Sequence, residues 1–371
     1  MRPLRFFLAL PVLVPGASLP AQQPSTTEPY HVLERARVGG DGGYDYVYAD
    51  VAGRRLYIPR GGSRAEPATD STPARAAVPG RITVFDLQTL APLGEIPTSG
   101  GQGVVVDPES GHGFSSSPAV TMFDTKSLTI IKQIPVAPAR PDGILFDPFN
   151  RRVYVFSHPT RNATVIDAAN GTVLGTVDLG GTPEEAVTDG HGTIYDVMQD
   201  SAGSVTVIDA RTMRATAHYS LGDHGRCNGL ALDDAHHVLF AACAQSGNPP
   251  ANPPQPTMVI LSATTGAILD TLPLAGRSDG AVFNPATGEA FSTGANGTLT
   301  VVKERTPTAF AVEEDLQTMA GARTITLDTK TNRIFTISLE RASPPAGAAP
   351  GSRASFGTPV PGSFTILMIG R

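Results

Sequence analysis

The chain has 371 residues, of which 39 are Gly, 33 are Pro, 40% are hydrophobic and 17% charged; this is a loop-rich composition with ample apolar material for a core. A net charge of −6 disfavours a nucleic-acid binder driven by electrostatic attraction. Trp and Cys-x-x-Cys-His are both absent, which removes an indole-floored quinone pocket and covalently attached c-type haem.

Residues 1–21 read as a signal peptide. Arg2 and Arg5 form a short positive start, Phe6 to Val14 an apolar run, and Gly16 to Ala21 supply small residues for cleavage. The run is nine residues long, against the ~20 that a membrane-spanning helix needs. Cleavage after Ser18 leaves small residues where the peptidase reads them, whereas cleavage after Ala21 places Leu19 there. The expectation is a periplasmic or secreted protein without a membrane span. Residues 22–29, rich in Gln, Pro, Ser and Thr, are expected to be a disordered leader.

From residue 30 onward one unit recurs. It is clearest in Pro141 to Ser157, Ala163 to Asp167 and Val173 to Gly181, which reads as four short strands with turns between them. The acid or amide that closes the first strand recurs as Asp50, Asp107, Asp147, Asp189, Asp233, Asn284 and Asp328, at spacings of 57, 40, 42, 44, 51 and 44. The third strand recurs as runs such as Ile82 to Asp86, Val205 to Asp209 and Phe364 to Met368, β-branched and apolar throughout. Four-stranded units of ~40–45 residues predict propeller blades. The seventh unit holds three strands, and Tyr30 to Gly40 matches the missing outer one. The expected fold is therefore all-β: a single seven-bladed β-propeller over residues 30–371, its ring closed by the N-terminal strand completing the C-terminal blade.

Pairings such as Arg54-Arg-Leu-Tyr-Ile58 with Ile82 to Asp86, and Arg151-Arg-Val-Tyr-Val-Phe-Ser157 with Ala163 to Asp167, resemble the YVTN-type repeat of exported bacterial propellers in the YncE-like group. The resemblance covers residues 30 to 371 and implies a seven-bladed secreted or periplasmic propeller. It brings no fixed catalytic residues. The four residues that name the repeat occur here only as variants such as Tyr154-Val-Phe-Ser157.

In a propeller the first strand of each blade starts at one mouth of the channel, and the loops between second and third strands open on that same face. Three of these loops are long: Pro59 to Gly80, Ala244 to Pro256 and Leu339 to Gly362. They read as lids, binding loops or solvated Pro/Ala/Gly linker. Counting back five residues from each anchor gives a ring of polar residues at the mouth: Asp45, Gln102, Asp142, Glu184, Asn228, Asp279 and Arg323. Oxygen-rich rings suit a hard divalent cation, and crowded carboxylates can supply a general acid or base. Against this, Asp and Asn are ordinary turn residues, and alternate side chains of a flat blade face neighbouring blades. Arg140, Arg226 and Arg277 lie two residues before ring members, so the mouth would alternate in sign. His158, in a loop on this face, is the one histidine singled out for function.

Cys227 and Cys243 fall opposite each other in the fifth unit, and an exported chain would join them as a disulfide. Closing ~16 residues, it would contribute about 3 kcal/mol. No Cys and His spacing supports zinc, so no metal ligands and no cofactor are predicted, with a divalent cation at the acidic ring left open. The expected role is non-catalytic: a monomeric binding or scaffold propeller taking a small molecule or protein partner at the mouth. The alternative is a propeller hydrolase or lyase, lactonase-like and metal-assisted or not, using Asp142, Glu184, Asn228 and Arg323.

Overall fold

A computed structural model describes residues 28–371 apart from 66, 69–73, 137–140, 248–249, 345–346 and 348–356. The signal peptide, its cleavage site, most of the leader and the central residues of the long loops fall outside the described residues. Seven antiparallel sheets follow one another along the chain. Blade three shows the pattern, with Pro141–Asp147, Arg152–Ser157, Asn162–Asp167 and Val173–Asp178 hydrogen-bonded in that order. In the last blade Ile325–Asp328, Arg333–Ser338 and Thr365–Gly370 are followed by His31–Arg37 as the outer strand. The N-terminal strand thus closes the ring of a seven-bladed β-propeller, as the repeat predicted.

The core is distributed accordingly. The described residues contain seven buried apolar clusters, and each lies between two neighbouring blades. Strands buried on both faces need apolar residues throughout, which is why the second and third strands lack the alternation of a half-exposed sheet. The outer strands do alternate, as in Arg214–Ser220.

Each inner strand ends in a turn held by its anchor. The Asp107 carboxylate accepts the backbone N–H of Glu109 and the hydroxyl of Ser110, and also Arg151 Nη2 from the next blade at 2.6 Å. Asp328 does the same for Lys330 and Thr331, and takes Arg54 of blade one in a bidentate pair at 2.9 and 2.7 Å. Arg54 and Arg151 both have left-handed backbones, with φ of 56° and 53°. That conformation aims their side chains back at the preceding blade. The repeated acid is therefore both a turn cap and a clamp between blades.

The first and last strands of the ring share one more clamp. The Tyr30 hydroxyl donates to Glu289 Oε2 at 2.7 Å, Arg371 Nη2 reaches Glu289 Oε1 at 2.8 Å, and the Arg371 guanidinium lies 4.1 Å above the Tyr30 ring. Glu289 is buried. Removing one partner of a buried ion pair costs about 3–5 kcal/mol, so Glu289→Ala should lower the unfolding free energy by about that amount. Glu289→Gln, which keeps part of the hydrogen bonding, should fall between it and the parent in urea denaturation. An unchanged midpoint for Glu289→Ala would refute this account of closure.

Candidate functional site

Six of the seven ring residues make contacts around one channel mouth that knit six blades together, and the seventh, Glu184, joins through His158. Asp279 accepts Asn228 Nδ2 at 3.1 Å and pairs with Arg323 Nη1 at 2.6 Å. Arg323 Nη2 faces Asp45 at 3.8 Å. Gln102 Nε2 donates to Asp45 Oδ2 at 3.0 Å and approaches Asp142 Oδ1 at 3.5 Å. His158, entering from the loop after Arg152–Ser157, places Nε2 3.1 Å from Asp142 Oδ2 and 3.4 Å from Glu184 Oε1. This nitrogen is shared between two carboxylates and aligned with neither as a hydrogen bond. The pairing is ionic.

What turns these side chains toward the channel is a repeated irregularity. The register of the inner strand slips by one residue across Asp142 in blade three, Glu184 in blade four, Asn228 in blade five and Asp279 in blade six. Such a bulge re-aims a side chain that strict alternation would have sent to a neighbouring blade. In blade one the inner strand is interrupted altogether between Gly43–Tyr44 and Tyr48–Asp50, and Asp45 sits in the gap. Glycine follows the bulged residue where inner strands crowd. A Cβ on Gly143 would stand 2.7 Å from the Glu184 carbonyl oxygen of the next blade.

The other expected members are placed less centrally. Arg140 falls outside the described residues. Arg226 and Arg277 are exposed on the rim and make no side-chain hydrogen bond among the described residues, so the expected alternation of charge reduces to a rim of exposed arginines around an acidic centre. The Cys227 and Cys243 sulfurs are bonded, across directly paired positions of the fifth blade. This bridge lies at the root of the loop that begins at Ser246.

Several site residues were not singled out in the sequence. Tyr46 of blade one crosses the channel to donate its hydroxyl to Glu184 Oε2 at 3.0 Å, and Gln199 Nε2 donates to Glu184 Oε1. Glu185 accepts the backbone N–H groups of Leu230 and Ala281, at 2.8 and 2.9 Å, from two further blades. Asp196 is fully buried beneath Glu184, with neither carboxylate oxygen hydrogen-bonded among the described residues. The adjacent pair Glu184-Glu185 was a visible signal, since two acids in a strand buried on both faces need partners. Asp196, in the otherwise apolar run Ile194-Tyr-Asp-Val-Met198, was another.

Burial dominates the electrostatics. Asp45 is pushed up to about 8 by desolvation, which the neighbouring Arg323 opposes and the Asp279, Asp142 and Glu184 carboxylates reinforce. Burial likewise raises Glu184 and Asp279, and pushes Glu185 up to about 8. Asp196 is raised well above the carboxylate range by burial. His158 is held up to about 10 by Asp142 first and Glu184 second, against the cost of desolvating the imidazolium. The mouth carries more acids than cations, and burial shifts Asp45, Glu184 and Asp279 upward.

No family model matches the chain, and no curated protein does. Among solved structures, the fold is similar to that of a chain of the Kuenenia stuttgartiensis hydrazine synthase, with a TM-score of 0.65 and 15% identity over 81% of this chain and 94% of that one. A chain of the mitotic checkpoint complex is similar at a TM-score of 0.65 and 12% identity, over 89% and 96% of the two chains. The RRP9 WD40 repeats are similar at 0.66 and 9%, over 92% and 97%. At such identities these likenesses carry the propeller fold alone.

The His158 ring offers a direct check. Its raised value means that it binds a proton more tightly when folded, so its stabilising pairing is complete below the unfolded value near 6.5 and is lost as pH rises through about 10. Proton-carbon NMR of the ring should show imidazolium persisting at pH 8, and Asp142→Asn should move the transition downward. A titration near 6.5 in the parent would contradict the shared ion pair.

Proposed function

We propose that the chain is an exported propeller of the YVTN-repeat, YncE-like kind, and that its channel mouth binds a small ligand bearing a positively charged nitrogen. The repeat resemblance and the signal-like N-terminus support the first part. The second rests on one observation: Asp45, Asp142, Glu184 and Asp279, from four blades, converge at low exposure on a mouth that answers them with Arg323 and His158. An ammonium or guanidinium group entering there would offset the burial that pushes Asp45 up to about 8 and raises Glu184 and Asp279. The rim arginines Arg226 and Arg277 would favour ligands that also carry a carboxylate. Among the described residues no helix is long and apolar enough to cross a membrane.

Asp142, His158 and Glu184 each place one donor atom within 4.8 Å of the others, which supports a divalent cation as another occupant once His158 yields its proton. An enzyme is the second reading, favoured by the Asp45 value of about 8, close to what a general acid needs at neutral pH. The four residues that a lactonase-like or lyase chemistry would use fall into two groups, Asp142 with Glu184 about His158, and Asn228 with Arg323 about Asp279.

Calorimetry of the mature protein against primary amines, guanidinium compounds and amino acids tests the binding reading. Affinity should rise with pH through about 8, because a bound cation favours ionised Asp45. Asp45→Asn should flatten that rise, and Asp142→Asn or Asp279→Asn should weaken binding at least ~tenfold. Preference for plain carboxylates over amines would overturn the proposal, and lactone hydrolysis lost in Asp45→Asn would favour the enzyme. N-terminal sequencing of the exported protein should find a start at Leu19 or Gln22; retention of Met1 on it would refute the signal peptide.

A further inference from the structure

We propose that Asp233, His236 and Glu304 form a binding site for a divalent transition-metal ion of the zinc class, on the face of the ring opposite the acidic mouth. The three come from two blades. Asp233 ends the inner strand Gly225–Asp233 of blade five and His236 sits in the turn that follows it, while Glu304 lies on Thr298–Thr306, the third strand of blade six. His236 Nδ1 is 2.6 Å from Asp233 Oδ2 and 2.9 Å from Glu304 Oε1, and all three donor atoms lie within 4.8 Å of one another.

The site exists because a clamp is missing. In blades one, three and seven, the residue four beyond the anchor adopts a left-handed backbone and reaches back to the anchor of the preceding blade: Arg54 to Asp328, Arg151 to Asp107, and Asn332 to Asn284. In blade six that position is Gly288, with φ of 62° and no side chain to send toward Asp233. A cavity of about 290 Å³ opens beside it, lined by Asp233, His236, Glu304 and, on the blade-six side, Arg305 and Thr306. Where those three interfaces place a guanidinium or an amide, this one places a histidine, a second acid and space.

Glu304 points to a ligand independently of the cluster. Its side chain is 4% exposed, yet neither carboxylate oxygen has a hydrogen-bond partner among the described residues. The close Nδ1 of His236 is directed to Asp233 instead. The arginine that meets Asp107 and Asp328 is replaced at Asp233 by Gly288 of the next blade.

One imidazole nitrogen and two carboxylate oxygens suit a late first-row ion better than Ca²⁺ or Mg²⁺, which prefer sets made of oxygen alone. Tetrahedral coordination at ~2.0–2.1 Å separates donors by roughly 3.3 Å, so His236 must move outward by a few tenths of an ångström. It is half exposed and free to do so. Asp233 is already oriented, because its Oδ1 accepts the backbone N–H of Ala235 at 3.1 Å. Water from the cavity would complete the shell, and on binding the Nδ1 proton leaves to solvent.

The test is titration of the metal-free, full mature chain with Zn²⁺, and with Co²⁺ as a visible-absorbing probe. Zn²⁺ held at this face should bind with an affinity that falls at least ~tenfold in His236→Ala and in Glu304→Gln, whereas any further equivalent held at the mouth should be lost in His158→Ala alone. The Co²⁺ spectrum should lose the corresponding band in the same two variants. No bound Zn²⁺, equal binding in both variants, or loss confined to His158→Ala would each overturn the proposal. Should Glu304→Gln unfold, His236→Ala decides, because that side chain is half exposed. The outcome is independent of whether the mouth binds amines.

Discussion

The structure depends on closure of the ring. Among the described residues no apolar cluster belongs to one blade; each is shared across an interface, so an open ring would leave two blade faces uncovered. His31–Arg37 pairs with Thr365–Gly370 to prevent that. The Tyr30, Glu289 and Arg371 clamp holds the start of the first strand and the C-terminal residue against blade six. Hydrophobic burial provides the bulk of the driving force, while the strand pairing and the clamp decide that it is collected as a closed circle.

Given a closed ring, inner strands from seven blades crowd around one axis, and both faces of the molecule inherit their character from that crowding. At the mouth, bulges swing polar residues inward until acids from four blades lie within reach of one guanidinium and one imidazole. Burial then pushes these carboxylates upward, to about 8 at Asp45 and Glu185 and in the same direction at Glu184 and Asp279. At the opposite face the same crowding is relieved by clamps, in which an anchor acid meets a cation from the next blade. Asp107 and Asp328 show this balance. Burial acts to raise both, but Arg151 and Arg54, with the turn donors, hold them below the usual carboxylate range.

The two faces are therefore variations on one arrangement, a repeated acid presented to a neighbouring blade. Where the neighbour supplies an arginine, the acid is structural. Where it supplies other acids, or a glycine and a cavity, the acid is the one proposed to take a cation from outside. This distinction separates Asp107 and Asp328 from Asp142 and Asp233, though all four belong to the same repeat.

Much of this was determined by the sequence itself. Spacing of the anchors, the doubly apolar strands and the unmatched Tyr30 to Gly40 segment specify seven blades and their closure, because each reflects local pairing repeated along the chain. The seven mouth positions were also legible, since a repeat carries its positions with it. Direction was not. A one-residue bulge reverses which way Asp142 or Glu184 points, and bulges leave no fixed mark in side-chain alternation. Nor could the sequence bring Tyr46 across the channel to Glu184, or His236 to Glu304 sixty-eight residues away. Those meetings are decided by how blades pack about the axis, a long-range property that only the closed ring possesses.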